Sequence, residues 1–79
     1  MNYLIYFYIT SCNACKTLIP KLEKKQEEIK VCFLNGAEHR ELVKNHNIEA
    51  YPTLFYMKDN EKLNMLVGAK KIEKFLETI

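Results

Sequence analysis

The sequence predicts an α/β fold of order β-α-β-α-β-β-α, a four-stranded mixed sheet flanked by three helices. Three features carry that prediction. An unbroken apolar run, Tyr3–Ile9, is rich in aromatic and β-branched residues. From Cys15 onward the apolar residues switch to helical spacing. Late in the chain, two strand-like stretches are separated only by the polar residues 58–61.

The elements follow in order. Tyr3–Ile9 has no polar interruption, as expected of a strand buried on both faces at the centre of a sheet. Thr10, Ser11 and Asn13 then form a polar cluster suited to a loop and a helix cap. Cys15, Leu18, Ile19 and Leu22 fall at i, i+3, i+4 and i+7, with Ile29 near the same face and charged residues on the others. A helix over about 13–28 is expected, bent at Pro20, which lacks a backbone donor and crowds the preceding turn. Lys30–Asn35, "KVCFLN", reads as a second strand. A strand, a helix and a strand argue for a parallel right-handed crossover. Ala37–Asn45 is expected to be a short helix with Leu42 and Val43 inward. Pro52–Met57 and Lys62–Val67 read as an antiparallel hairpin. After Gly68 a last helix carries Ile72, Phe75, Leu76 and Ile79 on one face.

Composition narrows the function classes. A chain of 79 residues fits a single domain, residues 1–79. It is 48% hydrophobic and 28% charged, which suits a soluble globular protein. The net charge of +2 is too slight to argue for nucleic acid or membrane binding. The longest apolar run is too short to span a bilayer. It lacks the basic flank and small-residue cleavage site of a signal peptide, so a cytoplasmic location is expected. In a reducing compartment a close cysteine pair is more often catalytic or metal-binding than a structural staple. Three cysteines also leave one unpaired in any disulfide framework.

The chemistry centres on "CNAC", residues 12–15. Cys15 lies on the apolar stripe of its helix and should be covered. Cys12 precedes the first turn and should sit at the exposed N-terminal end. Free backbone amides and the positive end of the helix dipole there favour thiolate, the attacking species. An accessible, ionised Cys12 beside a shielded Cys15 is what a dithiol exchanger requires: one sulfur attacks, the other resolves. Metal binding is the rival use of this spacing. His39 and His46 could complete a zinc set with Cys12, Cys15 and Cys32. Structural zinc sites usually offer a second tight pair, however, and Asn35 stands where its second cysteine would fall. Both histidines read as surface or half-buried helix residues, and Cys32 as a small buried hydrophobe. Pro52, opening a strand, is a candidate cis-proline.

These residues resemble the thioredoxin family. "CNACKTLIP" is similar to its C-x-x-C-K active-site segment, with a proline five residues after the second cysteine. "NIEAYPTLFYMKDNEKLNMLVGA" is similar to its later segment, in which a cis-proline and threonine lead into a strand, a charged turn and valine-glycine. The resemblance implies a minimal thioredoxin fold. It implies that Cys12 is the nucleophile and Cys15 the resolving thiol, with Asn13 and Ala14 between them at the substrate face. Pro52 would pack against the pair, the Tyr51 backbone would pair with an extended substrate peptide, and Gly68 would let a partner approach closely.

The resemblance further implies reduction of disulfide-containing protein substrates by a monomer, without cofactor or metal. The electron donor would be a flavin-dependent thioredoxin reductase or glutathione. A glutathione-dependent glutaredoxin is the alternative, with Lys16, Tyr51 and Thr53 as groove residues; against it, Gly68-Ala69 replaces that family's glycine-aspartate pair. A metal-binding or interaction module on the same scaffold is the alternative from another class. The chain departs from the thioredoxin pattern at named points. The N-terminal strand and helix are absent, and Ser11 replaces the usual tryptophan. Asn13-Ala14 replaces Gly-Pro. Tyr6 stands where a buried acid assists proton transfer, a task a phenol cannot perform at neutral pH.

Overall fold

A computed structural model describes residues 1–79. Its elements are β1 (Asn2–Tyr8), α1 (Asn13–Lys25), β2 (Lys30–Asn35), α2 (Arg40–Asn45), β3 (Thr53–Lys58), β4 (Glu61–Val67) and α3 (Ala69–Thr78). The order of strands across the sheet is β2-β1-β3-β4. β1 runs parallel to β2 and antiparallel to β3, and β3 is antiparallel to β4. β1 is therefore central, as its uninterrupted apolar run requires.

The two-residue period of β1 splits the core. Leu4 and Tyr6 face α1 and α3, where they pack with Leu18, Leu22, Ile72 and Leu76, together with Val31 and Leu54 of the neighbouring strands. Phe7 points the other way and joins Phe55 and Ile48, with Leu34, Val43 and Tyr51 at its margin. Two regular helices thus cover one face. The six-residue α2 and the chain leading to β3 cover the other.

Several boundaries differ from the expectation. α1 ends at Lys25, not near Glu28. Glu27 and Glu28 donate their amides three residues back, to Lys24 and Lys25, and this tighter turn releases Ile29 toward β2. α1 is continuous through Pro20, which is exposed. α2 begins at Arg40 rather than Ala37, because Asn35 holds the preceding turn: its side chain accepts from the Ala37 amide (2.9 Å) and its carbonyl from Glu38 and His39. So short a helix buries little. Val43 is half-buried, but Leu42 is 38% exposed and does not face inward as expected. Ile79 lies past the end of α3 and is likewise exposed. The hairpin turn is Asp59-Asn60, with Lys58 paired to Glu61. No helix is long and apolar enough to cross a membrane.

Candidate functional site

The site gathers where β1 ends. The chain turns after Tyr8, the Cys12 amide donates to the Ile9 carbonyl (3.3 Å), and Cys12 becomes the N-cap of α1 with extended backbone, φ −98° and ψ 109°. A cap residue normally offers an oxygen to the free amides of the first turn. Here the Cys12 Sγ takes that role, accepting from the Cys15 amide at 3.1 Å. The helix terminus thus supplies Cys12 with a hydrogen-bond donor aimed at sulfur, in addition to the positive end of the dipole. Both stabilise negative charge on it. Cys12 is half-buried, Cys15 is fully buried, and the two form a disulfide with their Cα atoms 5.2 Å apart. Asn13 and Ala14, between them, are exposed.

Tyr6 lies beneath the pair. It is fully buried, and its hydroxyl donates to the Cys15 carbonyl oxygen at 2.8 Å. Burial disfavours the phenolate and pushes its pKa up to about 12. Tyr8 stacks on its ring, and Phe33 meets it edge-on. Thr53 is the sole polar or charged residue among the buried side chains, so no carboxylate is buried beside Cys15.

Three further segments converge on this end of the sheet. The Tyr51–Pro52 peptide is cis and leads directly into β3, where Thr53 pairs with Phe7 of β1 and Val67 of β4. The Pro52 carbonyl accepts from the Gly68 amide (2.9 Å), which ties the entry of β3 to the start of α3. Gly68 has φ +100°, and a Cβ there would meet nothing within 4 Å. The Gly36 amide donates to the Tyr8 carbonyl (2.7 Å), which brings the β2–α2 turn to the same place. Thr53 is buried with its hydroxyl bonded to the Ala50 carbonyl, while Lys16 is exposed.

The residues of the zinc alternative are not brought together: no three His, Cys, Asp or Glu side chains cluster as a metal site. His39 and His46 flank α2 and are exposed. Cys32 is a free, half-buried thiol opposite Ile5, less covered than expected because β2 is an edge strand. Gly36 is the residue of this region that the sequence reading does not single out. Its one available signal is rarity, since the chain has only two glycines.

Comparison with known proteins agrees with this geometry. The family model described as Thioredoxin matches residues 1–79. A thioredoxin H-type from Picea mariana is 34% identical over 68 residues, covering 82% of this chain and 54% of its own. A thioredoxin from Mycobacterium bovis is 31% identical over 71 residues, covering 85% of this chain and 61% of its own. The chain thus spans between half and two thirds of the length of these two curated relatives. Among solved structures, a mutant thioredoxin from Halobacterium salinarum superposes with a TM-score of 0.88 at 25% identity, covering 99% of this chain and 71% of its own.

Proposed function

Because the chain belongs to the thioredoxin family, we propose that it is a thiol–disulfide oxidoreductase that reduces protein disulfides through Cys12 and Cys15. The observation that carries this reading is the asymmetry of the pair: a half-buried sulfur capping a helix, joined to a fully buried one.

In the reduced protein, the Cys12 thiolate attacks one sulfur of a substrate disulfide. That bond breaks, the departing substrate thiolate takes up a proton, and a mixed disulfide forms on Cys12. Cys15, after losing its proton, attacks the Cys12 sulfur. The Cys12–Cys15 disulfide forms and the second substrate sulfur leaves as a thiol. Two electrons pass from the dithiol to the substrate, leaving the oxidised pair described above. Tyr6 does not receive the Cys15 proton, since it is itself a donor to the Cys15 carbonyl and holds its own proton up to about pH 12. With no buried carboxylate nearby, that proton passes to water or to the departing thiolate.

Asn13, Ala14, Tyr51, Pro52 and Gly68 form the substrate face in this reading. The open surface at Gly68 supports close approach of a protein partner. Electrons return from a flavin-dependent thioredoxin reductase. Glutathione is the second donor to test, although the Thr53 hydroxyl is buried and already donates to the Ala50 carbonyl.

The test is reduction of insulin disulfides with three separate donors: NADPH with thioredoxin reductase, NADPH with glutathione and glutathione reductase, and dithiothreitol. Turnover is expected with dithiothreitol and with thioredoxin reductase. Turnover with glutathione alone would assign the protein to the glutaredoxin type. Failure with all three would overturn the reading.

A further inference from the structure

Two hydrogen bonds in succession link the central strand to Cys12. The Tyr6 hydroxyl donates to the Cys15 carbonyl oxygen at 2.8 Å, and the Cys15 amide donates to the Cys12 Sγ at 3.1 Å. Residue 15 is thus tied at both ends of its backbone, to the sheet through its carbonyl and to the other sulfur through its amide. That amide lies in the first turn of α1, where the helix itself provides no acceptor. Its direction depends on whatever fixes residue 15. Tyr6 is well placed to do so. It is fully buried in β1, with the Tyr8 ring stacked on it at 5.9 Å and the Phe33 ring edge-on at 6.0 Å. A ring packed between two others cannot swing, so the hydroxyl at its tip is a fixed point beneath the helix turn.

We propose that Tyr6 is a positioning residue for Cys12: by fixing the Cys15 backbone it aims the amide that stabilises the Cys12 thiolate, and so sets how readily that sulfur ionises. The inference rests on the oxidoreductase reading above, which makes Cys12 the attacking sulfur, and it deepens that reading. A hydrogen bond to a charged sulfur is stronger and more directional than one to a neutral thiol. A donor that drifts from its place therefore costs the thiolate more than the thiol, and the thiol pKa rises. Tyr6 does this without moving a proton. It keeps its own up to about pH 12, and its bond goes to the backbone rather than to sulfur. Phenylalanine at this position would keep the ring and remove only the tie.

The experiment is the pH dependence of alkylation of the reduced protein by iodoacetamide. Peptide mass identifies the modified residue, so that Cys12 is read apart from Cys15 and Cys32. Tyr6→Phe is expected to move the Cys12 midpoint upward by about 0.5 pH unit, which leaves roughly threefold less thiolate below the midpoint. The rate on the alkaline plateau is expected to stay within about twofold, because the sulfur is no less accessible once ionised. Leu4→Val is the comparator: it thins the same buried face of β1 two residues earlier and lowers stability without touching the Tyr6 bond. Its Cys12 midpoint is expected to stay within about 0.1 unit of the parent. An unmoved midpoint in Tyr6→Phe would overturn the proposal. So would an equal shift in Leu4→Val, which would trace the effect to general loosening of the core. Should Tyr6→Phe fail to fold when reduced, Tyr6→Met, which also lacks the hydroxyl, is read in its place against the same two outcomes. Alkylation uses no disulfide substrate, so its failure leaves the oxidoreductase reading standing, whereas a parent protein that did not reduce insulin would count against that reading itself.

Discussion

The phenol of Tyr6 holds Cys15 by its backbone, donating to the carbonyl oxygen at 2.8 Å from beneath the first turn of α1. A tyrosine is well suited to that role at a fully buried position, because it satisfies its single hydroxyl and fills the remaining volume with ring. It anchors the helix turn that carries the Cys15 sulfur and, keeping its own proton, offers no base there.

Removing the hydroxyl has a pH signature. Tyr6→Phe loses one buried hydrogen bond, worth about 1 kcal/mol at neutral pH. In the parent protein the Tyr6 pKa rises from 10.0 to about 12 on folding. Between those values the unfolded chain has released the proton and the folded chain has kept it. Stability is thus intact below about pH 10 and falls as pH rises toward about 12, at up to about 1.4 kcal/mol per unit. Phenylalanine removes this contribution. Urea unfolding of the oxidised proteins should find the variant weaker by about 1 kcal/mol at about pH 8, with the gap closed near roughly pH 11. A constant gap across that range would mean that Tyr6 ionises alike in both states.

Gly68 is required by its backbone conformation rather than by space. Its φ of +100° with ψ 145° belongs to a region reserved for glycine, yet a Cβ there meets no neighbour. Gly68→Ala should therefore be penalised by backbone strain alone, about 1–3 kcal/mol, which lowers Tm by roughly 4–8 °C for each kcal/mol in a domain of this size. The strain would be relieved by moving the amide that bonds the Pro52 carbonyl. A melting curve in the oxidised form checks this, and an unshifted Tm would show that the backbone relaxes freely at that point.

The sequence pattern is most informative where one period persists. The apolar run of β1, the i, i+3, i+4, i+7 stripe of α1 and the stripe of α3 each extend over several residues, so their existence and buried faces can be read directly. α2 is only six residues long, fewer than two turns, and a pattern that short cannot tell Leu42 from Val43. The end of α1 is hidden because the tight turn over 26–28 uses the same polar and charged residues as a helix surface. The two cysteines of the site are legible from spacing and helix position together. The Gly36–Tyr51 contact is not, because it joins residues distant in sequence through shape alone.

That contrast between Leu42 and the main core is measurable. Leu18 is fully buried against α3 and the sheet, so Leu18→Ala should cost about 2–5 kcal/mol. Leu42, 38% exposed on a short helix, should cost under about 1 kcal/mol when truncated. Chemical denaturation of the two variants side by side gives the answer. Equal losses would place Leu42 in a core that this structure does not contain.

The last prediction separates the two sulfurs. Cys12 is half-buried and caps the helix; Cys15 is fully buried and reaches only its neighbour. Cys12→Ser should therefore abolish disulfide reduction, since serine at the cap is not ionised and nothing else is placed to attack. Cys15→Ser leaves attack intact and removes resolution, so a mixed disulfide with substrate should accumulate at close to one per chain and dissolve on adding a small thiol. Non-reducing electrophoresis and intact mass of protein incubated with a disulfide substrate would reveal it. If the adduct formed instead on Cys15 in the Cys12→Ser protein, the buried sulfur would be the attacking one, and the assignment drawn from helix capping and burial would have to be reversed.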